Sequence, residues 1–498
     1  MEMIERCNQI INGVVWGLPM LVLLVATGVW MTVRTGFFQV THLRHWWSRT
    51  VGSIFTDARV TEHTEDSSIS QFQSLCTALA STVGTGNIVG VAGAVTAGGP
   101  GAVFWMWVIA FFSMMTEYAE NVLGIYYRRK NENDEWAGGA MYYLRDGLGA
   151  KRGCRQIGRI LAALFALFCF MASFGIGNMT QANAIAANLA SGFGIPTYLT
   201  GTVLMALAGL VILGGLKRIA AVTEKLVPFM VVAYMAGTAM IFLLNIHVAG
   251  DIFLSIFRGA FGLKAAGGGI LGAGMQKAVI MGMKRGVFSN EAGLGSSVMV
   301  HASSNVREPV RQGMWGIFEV FADTMAVCTL TAFAILSSGL VDLDTGAIAG
   351  GLQPASLVSA AFGLSFGSFG ARFVAVAVML FAFSTILGWS HYGATACEYL
   401  FGREAVGIYR VAFIAAVCAG ALMSENLSWE IADSLNGLMA LPNLIGLLAL
   451  SGTVAAVTEN YERRIFGGSG EAPMLSAFQE KEPALSVATH SLRGCGRT

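Results

Sequence analysis

The chain has 498 residues, of which 55% are hydrophobic and only 12% charged, with a mean hydropathy of +0.62. A soluble domain carries ~25% charged residues, so this composition excludes a soluble globular chain and long disorder and points to a polytopic membrane protein. The formal net charge of +1 argues against a nucleic-acid partner. Glycine occurs 62 times, an excess that suits close helix packing in lipid. The eight cysteines, Cys7, Cys76, Cys154, Cys169, Cys328, Cys397, Cys418 and Cys495, are scattered with no CxxC pair. A disulfide framework or zinc site is therefore not expected, and most read as small hydrophobes in apolar runs.

A membrane-crossing helix needs ~20 apolar residues. In chain order the candidates are 14–33, 72–95, 102–127, 160–189, 197–216, 226–246, 273–300, 315–336, 373–397, 405–423 and 434–457. The expected fold is all-α, with eleven transmembrane helices. The first span lacks the basic flank of a cleavable signal peptide. Lys and Arg number 24 in one set of loops and the tail, against Arg6, Arg258, Lys264 and Arg372 in the alternate set. By the positive-inside rule the N-terminus is expected outside and the C-terminus in the cytoplasm. The loop 247–272 is apolar but too short to span, which suits an interfacial helix. Residues 467–498 read as a mobile tail.

Two spans carry interruptions. In 72–95 the run Ser81-Thr82-Val83-Gly84-Thr85-Gly86-Asn87 is a poor choice for a continuous helix in lipid. In 273–300 the run Arg285-Gly286-Val287-Phe288-Ser289-Asn290-Glu291-Ala292-Gly293-Leu294-Gly295 is similarly polar and glycine-rich. Close helix packing, or a plain loop over 286–295, would also account for such runs. Spans two to six and seven to eleven, however, form two five-helix units, each opening on its interrupted helix. An odd number of crossings inverts the second unit, and paired interruptions in inverted halves point to a secondary transporter's site. The expected organisation is an extra N-terminal helix in 1–35, a cytoplasmic loop and first repeat in 36–246, an outer loop in 247–272, a second repeat in 273–457 and a tail in 458–498. The run from Gly84 to Gly90 has GxGxxxG spacing without a βαβ setting, so no dinucleotide is expected.

An unwound helix offers N–H groups where its second half begins and carbonyls where its first half ends. The N–H groups of Thr85, Gly86 and Asn87 suit a carboxylate, and the carbonyls near Ala80 and Val83 suit a small hard cation. Together they fit an amino-acid zwitterion co-transported with a metal cation. Phe174 and Asn178 share a helix face that Gln181 extends; an interhelical hydrogen bond is the plainer use of the two amides. Phe381, Ser384 and Thr385 lie at i, i+3 and i+4 and offer two hydroxyls and a carbonyl to sodium, unless the hydroxyls bond back to their own helix. Trp389 falls on the same face and could wall a small pocket or simply pack. Charges inside spans are functional by default. Glu117 and Glu120 read either so or as solvated helix-end charges, and Lys284, Arg285, Glu291, Glu319 and Asp323 as a set that neutralises itself in pairs.

At these residues the chain resembles the alanine/glycine:cation symporter family. The likeness rests on Ser81–Asn87 with Gly98-Gly99-Pro100-Gly101, on Gly138-Gly139-Ala140-Met141-Tyr142-Tyr143, on Lys284–Gly295 and on Gly388-Trp389-Ser390, and runs to about residue 457. It implies a leucine-transporter-like inverted repeat behind an extra N-terminal helix, in the cytoplasmic membrane. It further implies sodium as the co-transported ion and a small neutral amino acid, alanine or glycine, as substrate; other members prefer glutamine. The carboxylate role carries over to Thr85 and Gly86, pocket roles to Phe174, Asn178 and Trp389, with Phe288 as a further wall. Sodium would meet Ala80, Val83, Phe381, Ser384 and Thr385. A proton-coupled carrier of the same fold is the alternative. A membrane enzyme or receptor is disfavoured, because His63 and His391 have no partner constellation and no loop is long enough for a soluble domain.

Overall fold

The computed structural model describes residues 8, 11–13, 15–63, 68–262, 270–423 and 425–477. Arg6, Cys7, Lys264, Lys481, Arg493, Cys495 and Arg497, which carry some of the expectations above, lie outside the described residues. The chain is built from helices. In order, the main ones are α1 (Leu18–Arg34), α2 (Gln71–Thr82), α3 (Val89–Gly98), α4 (Gly101–Tyr126), α5 (Arg155–Phe174), α6 (Thr180–Phe193), α7 (Thr197–Ile212) and α8 (Gly215–Leu244). They continue with α9 (Ala249–Phe261), α10 (Ile270–Asn290), α11 (Val298–His301), α12 (Pro309–Val320), α13 (Thr329–Ser337), α14 (Leu357–Phe401), α15 (Glu404–Ala421) and α16 (Glu425–Ile465). A two-stranded hairpin pairs Arg129–Lys130 with Trp136–Ala137.

Among the described residues, seven helices are long and apolar enough to cross a membrane, and eight if the bent pair α2–α3 counts as one span. That measure falls short of the eleven expected crossings for identifiable reasons. Helices α1 and α7 are shorter apolar helices, and α10 carries Lys277, Lys284 and Arg285 within its 21 residues. Helix α14 starts well before the expected 373–397. Its 45 residues are divided at Gly367, whose φ of 61° leaves the helical region, so an unforeseen helical segment precedes the span. The expected interfacial segment is helix α9. Its Ile252 and Ile256 are buried, while Phe253, Leu254, Phe257 and Phe261 remain exposed.

Helix α4 lies at the centre of the bundle, in contact with α1, α9, α10, α12 and α16; helix α14 contacts α2, α5, α6, α8 and α15. The tail is held over its first part. Asn460 Nδ2 donates to the Ala472 carbonyl at 3.1 Å and Ala477 N donates to the Tyr126 carbonyl at 2.8 Å. Residues 472–477 thus meet the ends of α16 and α4; 478–498 lie outside the described residues.

Candidate functional site

Helix α2 begins at a capping box. Ser70 Oγ accepts from Gln73 N at 3.1 Å and Gln73 Oε1 accepts from Ser70 N at 3.2 Å, which fixes the helix start. The helix stops at Val83, where ψ reaches 86°. A 3-10 turn, Thr85–Asn87, follows, and α3 leaves at 59° to α2. The side chain of Asn87 holds the turn, its Oδ1 accepting from Gly84 N at 3.0 Å. The N–H groups of Thr85 and Gly86 open the turn and so fall outside its own bonding pattern.

Around this break the structure brings together most of the expected residues. Thr85 Oγ1 donates to Gln181 Oε1 at 3.1 Å, and Gln181 Nε2 donates to the Ile176 carbonyl at 3.0 Å. Gly86 faces α10, where an added Cβ would meet Phe288 Cδ1 at 3.2 Å and Ser289 Cα at 3.5 Å. The guanidinium of Arg285 stands over the Phe288 ring, 5.6 Å from its centre. Asn87 Nδ2 donates to Asp323 Oδ1 at 2.5 Å, while Asp323 Oδ2 accepts from Ser289 Oγ at 2.7 Å and Thr324 Oγ1 at 2.8 Å. Cys328 Sγ completes this hub, 3.4 Å from Asn87 Nδ2 and 3.2 Å from Ser289 Oγ. Asp323 therefore joins both interrupted segments. Its sequence signal, a carboxylate in mid-span, gave no partner.

Phe174 and Asn178 are not brought to the break by their contacts. They do share a face, but it looks at α15. Asn178 Nδ2 donates to the Phe413 carbonyl at 2.7 Å, and the Phe174 ring lies 5.4 Å from Tyr409 and 5.8 Å from Phe413. The cause is a π-turn, Gly175–Met179, between α5 and α6. One extra residue per turn shifts the phase of α6 relative to α5, so Gln181 faces α2 while Asn178 does not. Trp389 packs on the same turn, so closely that a Cβ at Gly177 would collide with its side chain.

The expected cation ligands converge in part. Ser384 Oγ is 3.2 Å from the Ala80 carbonyl and 2.8 Å from the Phe381 carbonyl, and Thr385 Oγ1 is 3.0 Å from the Phe381 carbonyl. Both hydroxyls thus back-bond to their own helix, while Ser384 also reaches across to α2. A Cβ at Gly84 would sit 2.6 Å from Thr385 Oγ1, so only glycine lets the end of α2 approach α14 this closely. Val83 lies between these two contacts in sequence and ends α2. Two carbonyls and two hydroxyls within hydrogen-bond reach are hard oxygens of the kind sodium takes.

The second interruption lies later than the sequence suggests. Residues 285–290 remain helical, and the irregular stretch runs from Glu291 to Ser297. Glu291 has φ 56°, a left-handed conformation uncommon outside glycine. Its carboxylate holds the position, accepting from Trp389 Nε1 at 2.8 Å and Ser296 Oγ at 2.6 Å. The bond to Trp389, unforeseen from sequence, ties the loop to α14.

The charged set does not neutralise itself as expected. Lys284 pairs with Asp433 at 2.6 Å, a residue at the start of the last expected span. Glu319 Oε2 is 2.9 Å from His301 Nε2. Glu117 and Glu120 are not solvated helix ends, because both are fully buried. They lie one turn apart on α4 and face the loop 291–297, with Gly293 N donating to Glu120 Oε1 at 2.9 Å and Ser297 Oγ donating to Glu117 Oε1. Two clefts open elsewhere on the bundle. One of about 430 Å³ borders Thr96–Pro100 at the end of α3, and one of about 690 Å³ borders His391 and Ala394 on α14.

Known proteins resemble this chain over most of its length. The sodium:alanine symporter family matches residues 1–474. The chain is 44% identical over 464 residues to a protein of Haemophilus influenzae named an uncharacterized transporter, covering 93% of this chain and 97% of that one. It is 44% identical over 461 residues to the sodium/alanine symporter AgcS of Methanococcus maripaludis, covering 93% and 98%. It is 34% identical over 465 residues to the probable sodium/glutamine symporter GlnT of Bacillus subtilis, covering 93% and 92%. The chain belongs to the sodium:alanine symporter family and is a multi-pass membrane transporter, not an enzyme.

Proposed function

We propose that the protein carries a small neutral amino acid, alanine or glycine, into the cell together with sodium. One observation supports this most. At the α2 break, the N–H end at Thr85 and Gly86 lies two to six residues from the carbonyl end at Ala80 and Val83, beside the Ser384 and Thr385 hydroxyls. Such a break offers a positive helix end to a carboxylate and oxygens to a cation in one place. The substrate's carboxylate takes the N–H groups of Thr85 and Gly86, and Asn87 and Gln181 shape the polar side. Phe288 and Trp389 close the apolar side. Phe174 and Asn178 support the site from behind rather than touching substrate. Sodium takes Ala80, Val83, Phe381, Ser384 and Thr385.

In this reading the two five-helix units, 36–246 and 273–457, move against each other around the break. The clefts at the end of α3 and along α14 are the two approaches. The N-terminus is outside and the C-terminus, with its basic residues, is in the cytoplasm of a cell bounded by this membrane. The test is binding by purified protein of alanine, glycine, glutamine and leucine in sodium and in choline medium. Tight alanine or glycine binding only in sodium is expected. Sodium-independent binding would favour the proton-coupled alternative, and strongest binding of glutamine would correct the substrate.

Pocket size gives a separate prediction. Phe288 stands against Gly86 and is 5% exposed. Phe288→Ala should admit methionine or leucine and improve their uptake more than that of alanine. An unchanged rank order across an amino-acid panel would place Phe288 outside the pocket wall.

A further inference from the structure

Glu117 and Glu120 lie three residues apart on α4, one helical turn, so their buried side chains are neighbours on one face. Each group has one oxygen with a donor. Glu117 Oε1 accepts from Ser297 Oγ. Glu120 Oε1 accepts from Gly293 N at 2.9 Å and from Asn443 Nδ2 at 2.6 Å. The other oxygen of each, Oε2, is buried and has no donor. Two ionised carboxylates are acceptors only, so they cannot bond to each other. Side by side in a buried site, they repel.

The surrounding groups do not offset that charge. From the loop the pair faces Ser297, Gly293 N and, further off, Glu291; from α11 it faces His301; from α12 it faces Glu319; from α16 it faces Asn443; and the phenols of Tyr143 and, on α14, Tyr392 are further neighbours, neither of them a positive charge. Lys284 is committed to Asp433, and Arg128 donates to the carbonyls of Ala302, Ser304 and Val306.

A metal ion is the competing way to join such acceptors, and donor atoms of Glu117, His301 and Glu319 do lie within 4.8 Å of one another. The histidine argues against it. Gln312 Oε1 accepts from Ser304 Oγ at 3.0 Å, which turns the amide nitrogen of Gln312 toward His301 Nδ1 at 2.5 Å. With the Gln312 amide in this orientation, Nδ1 is the acceptor and the neutral ring carries its proton on Nε2, which donates to Glu319 Oε2 at 2.9 Å. The nitrogen nearest the carboxylates carries a hydrogen, not a free lone pair.

We propose that Glu117 and Glu120 form a proton-binding site, one proton shared between their otherwise unbonded carboxyl oxygens, and that this site fastens the loop 291–297 to α4. With the proton in place, the repulsion becomes an O–H···O⁻ bond, and the two outer oxygens keep their bonds to Gly293 and Ser297. Release of the proton to water leaves two buried charges face to face and favours departure of the loop. Loop closure at the second interruption then follows the proton activity of the compartment it opens to. This holds whichever amino acid and cation are carried.

Infrared spectroscopy of the purified protein, with and without deuterium exchange, reads the proton directly. Wild type should show the band of a protonated carboxyl group at neutral pH, and the wild type minus Glu120→Gln difference spectrum should contain it, the bands of the other buried carboxyl groups cancelling. The glutamine keeps the carbonyl acceptor for Gly293 and Asn443 and offers Glu117 a permanent N–H donor. In amide exchange corrected for the intrinsic effect of pH, the wild-type segment 291–301 should lose protection as pH rises, whereas Glu120→Gln should stay protected throughout. The absence of a protonated carboxyl band in wild type at every pH would overturn the proposal, as would the same pH response in both proteins. Stoichiometric bound metal in wild type, lost on Glu117→Gln, would replace the proton by a metal ion.

Discussion

Gly86→Val is expected to abolish substrate binding and uptake while the protein still reaches the membrane. A Cβ at this position already stands 3.2 Å from Phe288 Cδ1 and 3.4 Å from Cε1, closer than ordinary contact. The two methyl groups of valine would extend into the space proposed for the substrate's carboxylate, and β-branching would stiffen the turn as well. The neighbouring change, Thr85→Ala, removes only a hydroxyl that bonds Gln181 and leaves the backbone N–H intact. Its cost should be near that of one hydrogen bond, about 1 kcal/mol. Substrate affinity in detergent separates the two. If Gly86→Val binds like wild type, the carboxylate is held elsewhere. A methyl ester of alanine is the matching probe, because it lacks the charge that the helix end attracts and should not bind wild type.

Replacing both Ser384 and Thr385 by Ala should raise the sodium concentration for half-maximal uptake by roughly tenfold or more, since hydrogen bonds and ligands to charged groups are each worth about 1.5–3 kcal/mol. Both residues are buried on α14 where it meets α2; Ser384→Ala loses only the hydroxyl oxygen, and Thr385→Ala loses one methyl group in addition. Ser384→Ala also removes the hydroxyl that bridges the Ala80 carbonyl to α14, so it should carry the larger share. An unchanged sodium dependence in the double variant, with normal insertion, would remove these residues from the cation site.

The helices and the α2 break were legible because their signals are local. A run of Ser, Thr, Gly and Asn at mid-span cannot continue as a helix without partners, and the break falls at Val83–Asn87 as the run indicates. The end of α10 was less legible. Arg285 to Asn290 read as part of an interruption, yet they stay helical, with Phe288 packed against the Gly86 turn and Arg285 over the Phe288 ring. Phe174 and Asn178 illustrate a different limit. Their i, i+4 spacing is right about a shared face and silent about its direction, which a single π-turn decides. Partners distant in sequence were not readable at all. Glu291 with Trp389, Lys284 with Asp433 and Asn87 with Asp323 bring together segments about 98, 149 and 236 residues apart, and composition carries no trace of such pairings. In the Gly138–Tyr143 signature, a Cβ at Gly138 would collide with Ala302, Gly139 takes φ 132°, and the Tyr143 hydroxyl donates to Asn443 Oδ1 beside Glu120.

In the proposed mechanism one broken helix holds an amino acid and a sodium ion together, so that the ion's gradient drives the substrate. A net positive charge entering a cell gains ~2.3 kcal/mol per 100 mV, inside negative, or roughly fifty-fold in accumulation at 1.4 kcal/mol per tenfold. The direct measurement is alanine and glycine accumulation in liposomes containing only the purified protein, with an imposed sodium gradient and potassium diffusion potential. Uphill accumulation should require external sodium and rise with inside-negative potential. Equal uptake in choline or potassium medium, indifferent to the potential, would contradict sodium-coupled symport.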